Sequence, residues 1–166
     1  YLKNFISTEL PEMTTEQKQR LWDKYEQNFL LYRNIVEKSD RNAGLLSKLY
    51  DYILYSKSLL LDSEIQQINN NTSRLNIKWK DIQKHLSNNA IAIEFISTIE
   101  DEGYYNTYHA LVIDKESPSP KMITLYSESR LEELKKTEAR DIRDIVGELI
   151  WKPVLEQYLT VKDIYF

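Results

Sequence analysis

Cysteine is absent from this sequence. That one absence removes disulfides, thiolate zinc sites and cysteine nucleophiles together. The two histidines are too few for most transition-metal sites unless carboxylates complete the ligand set. Glycine is scarce as well: the three residues at 44, 103 and 147 stand too far apart to form a phosphate-cradling loop. No apolar run reaches the roughly 18 residues that a membrane-spanning helix needs, and no segment has the pattern of a signal peptide. The expectation is therefore no membrane, with the cytoplasm as the default location. The triplets Asn70-Asn71-Thr72 and Asn71-Thr72-Ser73 would accept glycans only in a secretory pathway, which nothing else in the sequence supports. An excess of basic charge is missing too. The 22 Lys and Arg are interleaved with 26 Asp and Glu, for a net charge of −4, and this argues against the clustered cations that nucleic-acid binding requires.

What is present is ordinary globular material with large packing groups: 42% hydrophobic, 29% charged and 12 Tyr. A chain of 166 residues can form one domain, or a small domain with a helical extension, and buries about 68–70% of its unfolded surface. It opens at Tyr1 without an initiating Met and closes on "LTVKDIYF", residues 159–166, in what reads as a β-strand under way. These two ends suggest a piece of a longer protein.

Thr14 and Gln17 fit a capping box just after Pro11, and Trp22, Tyr25, Phe29, Tyr32 and Val36 then recur at three- and four-residue spacing. This predicts a helix over 14–38 with five large side chains on one stripe. The loop "SDRNAG", 39–44, turns the chain into a second, antiparallel helix over about 45–68. That helix carries Leu46, Leu49, Ile53 and Leu60 on one face, with Tyr50, Leu54 and Leu61 beside them, so the two stripes should face each other. Such a stripe is more often core than a groove-binding surface for a partner, although the second use remains open. "NNNTS", 69–73, favours turns over helix and marks the boundary between a helical hairpin with its linker, 1–75, and an α/β portion, 76–166.

The second portion starts with a short helix, 79–86, carrying Trp79, Ile82 and Leu86. Strands follow over 90–97, 104–114 and 121–127. The first two are apolar on both faces, as in a sheet covered on both sides, and the short polar connections suit an antiparallel meander. Helical spacing then returns through Leu131 and Leu134 and through Ile142, Ile145, Val146, Leu149 and Ile150, with Pro153 restarting a turn. The final strand, "VKDIYF", should pair in parallel by a right-handed crossover and lie in the interior of the sheet. The fold class is α/β, with α+β character at the N-terminus: a helical hairpin followed by the first part of a mixed, three-layer sheet.

Chemistry is sparse. Glu94, between Ile93 and Phe95, could act as an acid in a dry site, but a Glu paired to Lys or Arg is the commoner arrangement. His109 shares a face with Leu111 and Ile113 and could be a base oriented by Glu100, Asp101, Glu102 or Asp114; a hydrogen-bonded packing histidine is the simpler reading. A small hydrolase built on Glu94 and His109 would need both side chains in one pocket. His85 suits the C-terminal turn of its helix. "EDEG", 100–103, lacks the ligand spacing of a calcium loop and reads as a solvated turn. No residue is assigned to catalysis, to a cofactor or to a metal.

The strings "WKDIQKHLSNNAIAIEFI", "YYNTYHALVID", "ITLYSESRLEEL" and "ELIWKPVLEQYLTVKDIYF", in that order, resemble the opening of the CHAT domain, a caspase-like module related to separase and often attached to tetratricopeptide repeats. "LLSKLYDYILYSKSLLL" resembles the helical lead-in to the same domain, so the resemblance covers roughly 43–166. It implies a caspase-like sheet and a parent protein that is a cysteine peptidase with a His and Cys dyad. The family's dyad belongs to motifs beyond the strand matching "DIYF", and neither His85 nor His109 matches the catalytic His motif. The link over about 62–78 is shorter than the helical excursion of many members. The implied role is a noncatalytic N-terminal portion that scaffolds the peptidase part or links it to a repeat-containing sensor. The alternative is an independent protein-interaction module using the hairpin. Partners are then the remainder of the parent chain or another protein, with self-association through the terminal strand.

Overall fold

The computed structural model describes residues 13–65, 77–100 and 105–166. Helix α1, Thr15–Lys38, begins where the capping box places it. The Gln17 amide donates to Thr14 Oγ1 at 3.3 Å and the Thr14 amide to Gln17 Oε1 at 2.9 Å. Helix α2, Ala43–Ile65, starts two residues before the expected position because Asn42 caps it: its Oδ1 accepts from the amides of Gly44 at 2.9 Å and Leu45 at 3.3 Å. Asp51 of α2 in turn accepts from the Trp79 amide at 2.8 Å, which fixes the start of α3, Trp79–His85.

Strands β1, Ala90–Ile99, β2, Asn106–Asp114, and β3, Lys121–Ser127, form the expected antiparallel meander. Helices α4, Glu128–Thr137, and α5, Ile142–Gln157, follow, and β4, Asp163–Tyr165, returns parallel to β1. The order across the sheet is β3-β2-β1-β4. Two expectations change here. Among the described residues β4 lies at an edge of the sheet, because β2 already occupies the other side of β1. Pro153 does not restart the chain but sits inside a continuous α5. The ring leaves the Leu149 carbonyl without its usual donor, and the burial of Val154 against the sheet holds the segment helical despite that loss.

Alternation decides the layers. Ala90, Ala92 and Ile96 of β1, Leu111 and Ile113 of β2 and Met122 of β3 face α1, α2 and α3, where they pack with Val36, Leu46, Leu49, Tyr50, Ile53, Trp79 and Leu86. Ile91, Ile93, Ala110, Val112 and Ile123 point the other way, on to Val154 and Trp151 of α5 and on to Tyr158, Val161 and Ile164. The helical hairpin therefore shares one core with the sheet. The two hairpin stripes also meet: Tyr32 and Val36 of α1 share a cluster with Leu46, Leu49 and Ile53 of α2, and outside the second stripe Tyr52 lies edge-on to Tyr32 at 5.5 Å and to Phe29 at 6.4 Å. The side chains of Trp22, Leu60 and Leu61, the segment 69–73 and the acidic residues Asp101 and Glu102 lie outside what is described.

Candidate functional site

The hairpin face of the sheet carries polar groups among its apolar ones: Glu94 and Thr98 from β1, His109 from β2 and Thr124 from β3. Alternation puts Glu94 and Thr98 on the face of Ala92 and Ile96, and His109 on that of Leu111. Glu94 and His109 thus share a face, on opposite strands and two positions apart in register, since Glu94 pairs with Leu111 and Ile96 with His109.

Each is committed to other partners. Glu94 is 8% exposed, and its Oε2 lies 2.6 Å from Lys57 Nζ of α2, whose side chain is half in solvent. Tyr50, buried nearby, has its hydroxyl pKa pushed up by burial first and by the Glu94 charge second. This is the ion-paired glutamate rather than an acid in a dry pocket.

His109 is 1% exposed, and both ring nitrogens meet hydroxyls: Nε2 with Thr98 Oγ1 at 2.9 Å and Nδ1 with Thr124 Oγ1 at 3.3 Å. Arg41, in the turn between α1 and α2, donates from Nη2 to Thr124 Oγ1 at 2.6 Å and from Nη1 to the Met122 carbonyl at 3.1 Å. Thr124 Oγ1 accepts from Arg41 and keeps both a proton that it can donate to Nδ1 and a second lone pair that can accept from it, so both neutral tautomers of the ring fit these contacts. Burial first, and the Arg41 charge second, lower the His109 pKa to about 4.

This geometry argues against acid–base catalysis at His109. A base must be free to accept from the nucleophile, whereas both ring nitrogens are engaged by strand hydroxyls in a buried position, and a ring with so low a pKa holds a transferred proton poorly. Of the four expected orienting carboxylates, Glu100 accepts instead from Thr107 Oγ1 at 3.2 Å, and Asp114 closes the turn after β2. Asp114 Oδ1 accepts from the amides of Glu116 at 2.9 Å and Ser117 at 2.7 Å. Asp101 and Glu102 are outside the described residues. His85 behaves as its position suggests, with Nδ1 2.8 Å from the Asp81 carbonyl in the last turn of α3.

A second polar group lies where β2 and β3 meet α4. The Glu128 carboxylate accepts from the Asn106 amide at 3.0 Å, Asn106 Nδ2 at 3.1 Å and the Tyr108 hydroxyl at 2.8 Å. These bonds hold Glu128 below the usual carboxylate range and, through the hydrogen bond to Glu128 above all, push Tyr108 up to about 12. Both carboxylate oxygens are used in closing the sheet on to α4. Among the described residues no cluster of three or more acidic or histidine side chains is placed to hold a metal ion, and no helix is long and apolar enough to cross a membrane.

Reasoning from sequence missed Thr98, Thr124, Arg41 and Lys57. The two threonines were within reach, since strand alternation places them on the face of His109. Arg41 and Lys57 carried no local signal, because each reaches the sheet from the hairpin. Comparison with protein-family models, with curated proteins and with solved structures finds no match to this chain.

Proposed function

We propose that this chain is the noncatalytic N-terminal portion of a CHAT-like, caspase-related cysteine peptidase, where it scaffolds the peptidase part or links it to a repeat-containing sensor. The observation that carries the reading is the edge formed by β4. This strand returns parallel to β1, its outer side has no neighbouring strand among the described residues, and Tyr165 within it and Leu159 and Phe166 flanking it are 57%, 86% and 82% exposed. An uncovered apolar edge is a template for further strands. The absence of cysteine supports a structural role, since a caspase-type reaction needs a thiolate.

The decisive test is the reading frame that follows Phe166. Further strands carrying a His motif and then a Cys motif support the proposal; a stop codon overturns it. Thiol-sensitive peptide hydrolysis by the purified chain would overturn the noncatalytic role.

One observation favours a second reading, a protein-interaction module built on the hairpin. Leu31 and Ile35, one turn apart on α1, are 60% and 50% exposed. Paired substitutions L31D and I35D that abolish capture of a specific protein, while β4-edge variants do not, would select this module over the scaffold.

A further inference from the structure

The series Arg41, Thr124, His109, Thr98, exposed at Arg41 and Thr124 and buried at His109 and Thr98, connects three parts of the fold: the turn between α1 and α2, the edge strand β3, and the β1–β2 pair. The turn is held in an uncommon shape. Asp40 and Arg41 have φ of 51° and 56°, left-handed values that residues with a side chain avoid unless contacts maintain them. The Arg41 clasp on Met122 and Thr124 is such a contact, and Arg41 is itself exposed, so its guanidinium can swing into water.

We propose that this clasp is a proton-operated latch: a proton taken from solvent by the His109 ring releases Arg41 and lets the α1–α2 turn lift from β3. In either neutral tautomer only one ring nitrogen is a donor; protonation makes both of them donors, so Nδ1 then donates to the hydroxyl oxygen that already accepts from Arg41. The Thr124 oxygen is then shared by two cations. Imidazolium and guanidinium share one oxygen in a site where His109 has almost no water. The partner free to leave is Arg41.

Other ionisable groups on the surrounding elements are engaged elsewhere. Glu94 is tied to Lys57 of α2, Glu100 to Thr107 and Ser129, and Lys121 of β3 to Asp114. The exception is Arg33 of α1, whose Nε is buried with no hydrogen-bond partner among the described residues and whose pKa is lowered by burial first and raised by the Glu26 charge second. Arg41 is the charged group that bears on the ring.

The test uses the full 166-residue chain with labelled histidine. Long-range nitrogen–proton spectra should show His109 neutral at pH 7, titrating well below the ordinary midpoint. Over the same titration, hydrogen-exchange protection of the Asn42 and Leu46 amides, corrected for intrinsic rates, should fall at least tenfold. Arg41→Gln should raise the His109 midpoint and leave the turn weakly protected at every pH. His109→Gln should keep the turn protected where the parent chain has lost it. Thr124→Val, which removes the shared hydroxyl, carries the Arg41→Gln prediction if that variant does not fold. The latch is overturned if His109 titrates with no change in the turn, or if the turn opens equally in His109→Gln.

Discussion

At the scale of single residues, His109 and Glu94 show how a buried polar group is decided by its partners. The unfolded imidazole binds a proton near pH 6.5, whereas the folded one waits until about 4. Between these values the unfolded chain holds more protons, so stability rises with pH. The contribution is complete above about pH 6.5 and falls by about 3 kcal/mol as pH drops through the window. Urea denaturation at pH 7.5, 6, 5 and 4.5 should show this loss, and H109Q should flatten it in the upper part of the window, before carboxylates begin to titrate. Glu94 makes a different prediction. Removing its cation by K57M leaves a carboxylate that is 8% exposed without its partner. Because Lys57 is half in solvent, the cost should be about 1–2 kcal/mol rather than the larger penalty of a fully buried pair. The double variant K57M/E94L should recover most of it, because position 94 faces the apolar hairpin core. A double variant as unstable as K57M alone would contradict this account.

At the scale of elements, the start of α1 was legible in the sequence, whereas the Asn42 cap of α2 and the continuity of α5 were not. Thr14 and Gln17 form their capping box because that motif is satisfied locally, by residues three apart. Pro153 was misread for the opposite reason: its local signal is a break, and what overrides it is burial of Val154 against β1, β2 and β3. The missing amide should therefore be recoverable. P153A should stabilise the chain by roughly 1 kcal/mol or more in chemical denaturation, since it restores a donor to the Leu149 carbonyl without altering Val154. A destabilised P153A would mean that the proline ring contributes packing greater than the hydrogen bond it removes. The β-strands were legible because alternation and apolar content on both faces are properties of the strands themselves.

At the scale of the whole molecule, the hairpin and the sheet stand or fall together. Val36, Leu46, Leu49 and Tyr50 from the hairpin lie in the same cluster as Ala92, Ile96, Leu111 and Ile113 from the sheet. L49A, at a position 1% exposed, should cost about 2–4 kcal/mol. Its unfolding curves by tryptophan fluorescence and by far-ultraviolet circular dichroism should still coincide. Separate transitions would show the hairpin unfolding on its own. The sequence by itself determined what depends on near neighbours: the capping box of α1, the two-faced strands, the placement of His109 with Leu111 and Ile113, and the chemistry that a chain without cysteine cannot perform. Only the tertiary structure decided that Arg41 closes on β3 across 83 positions to Thr124, that Lys57 neutralises Glu94, and that β4 takes the edge beside β1. These contacts join residues far apart in the chain, so their energies depend on how the layers pack, which no local pattern encodes.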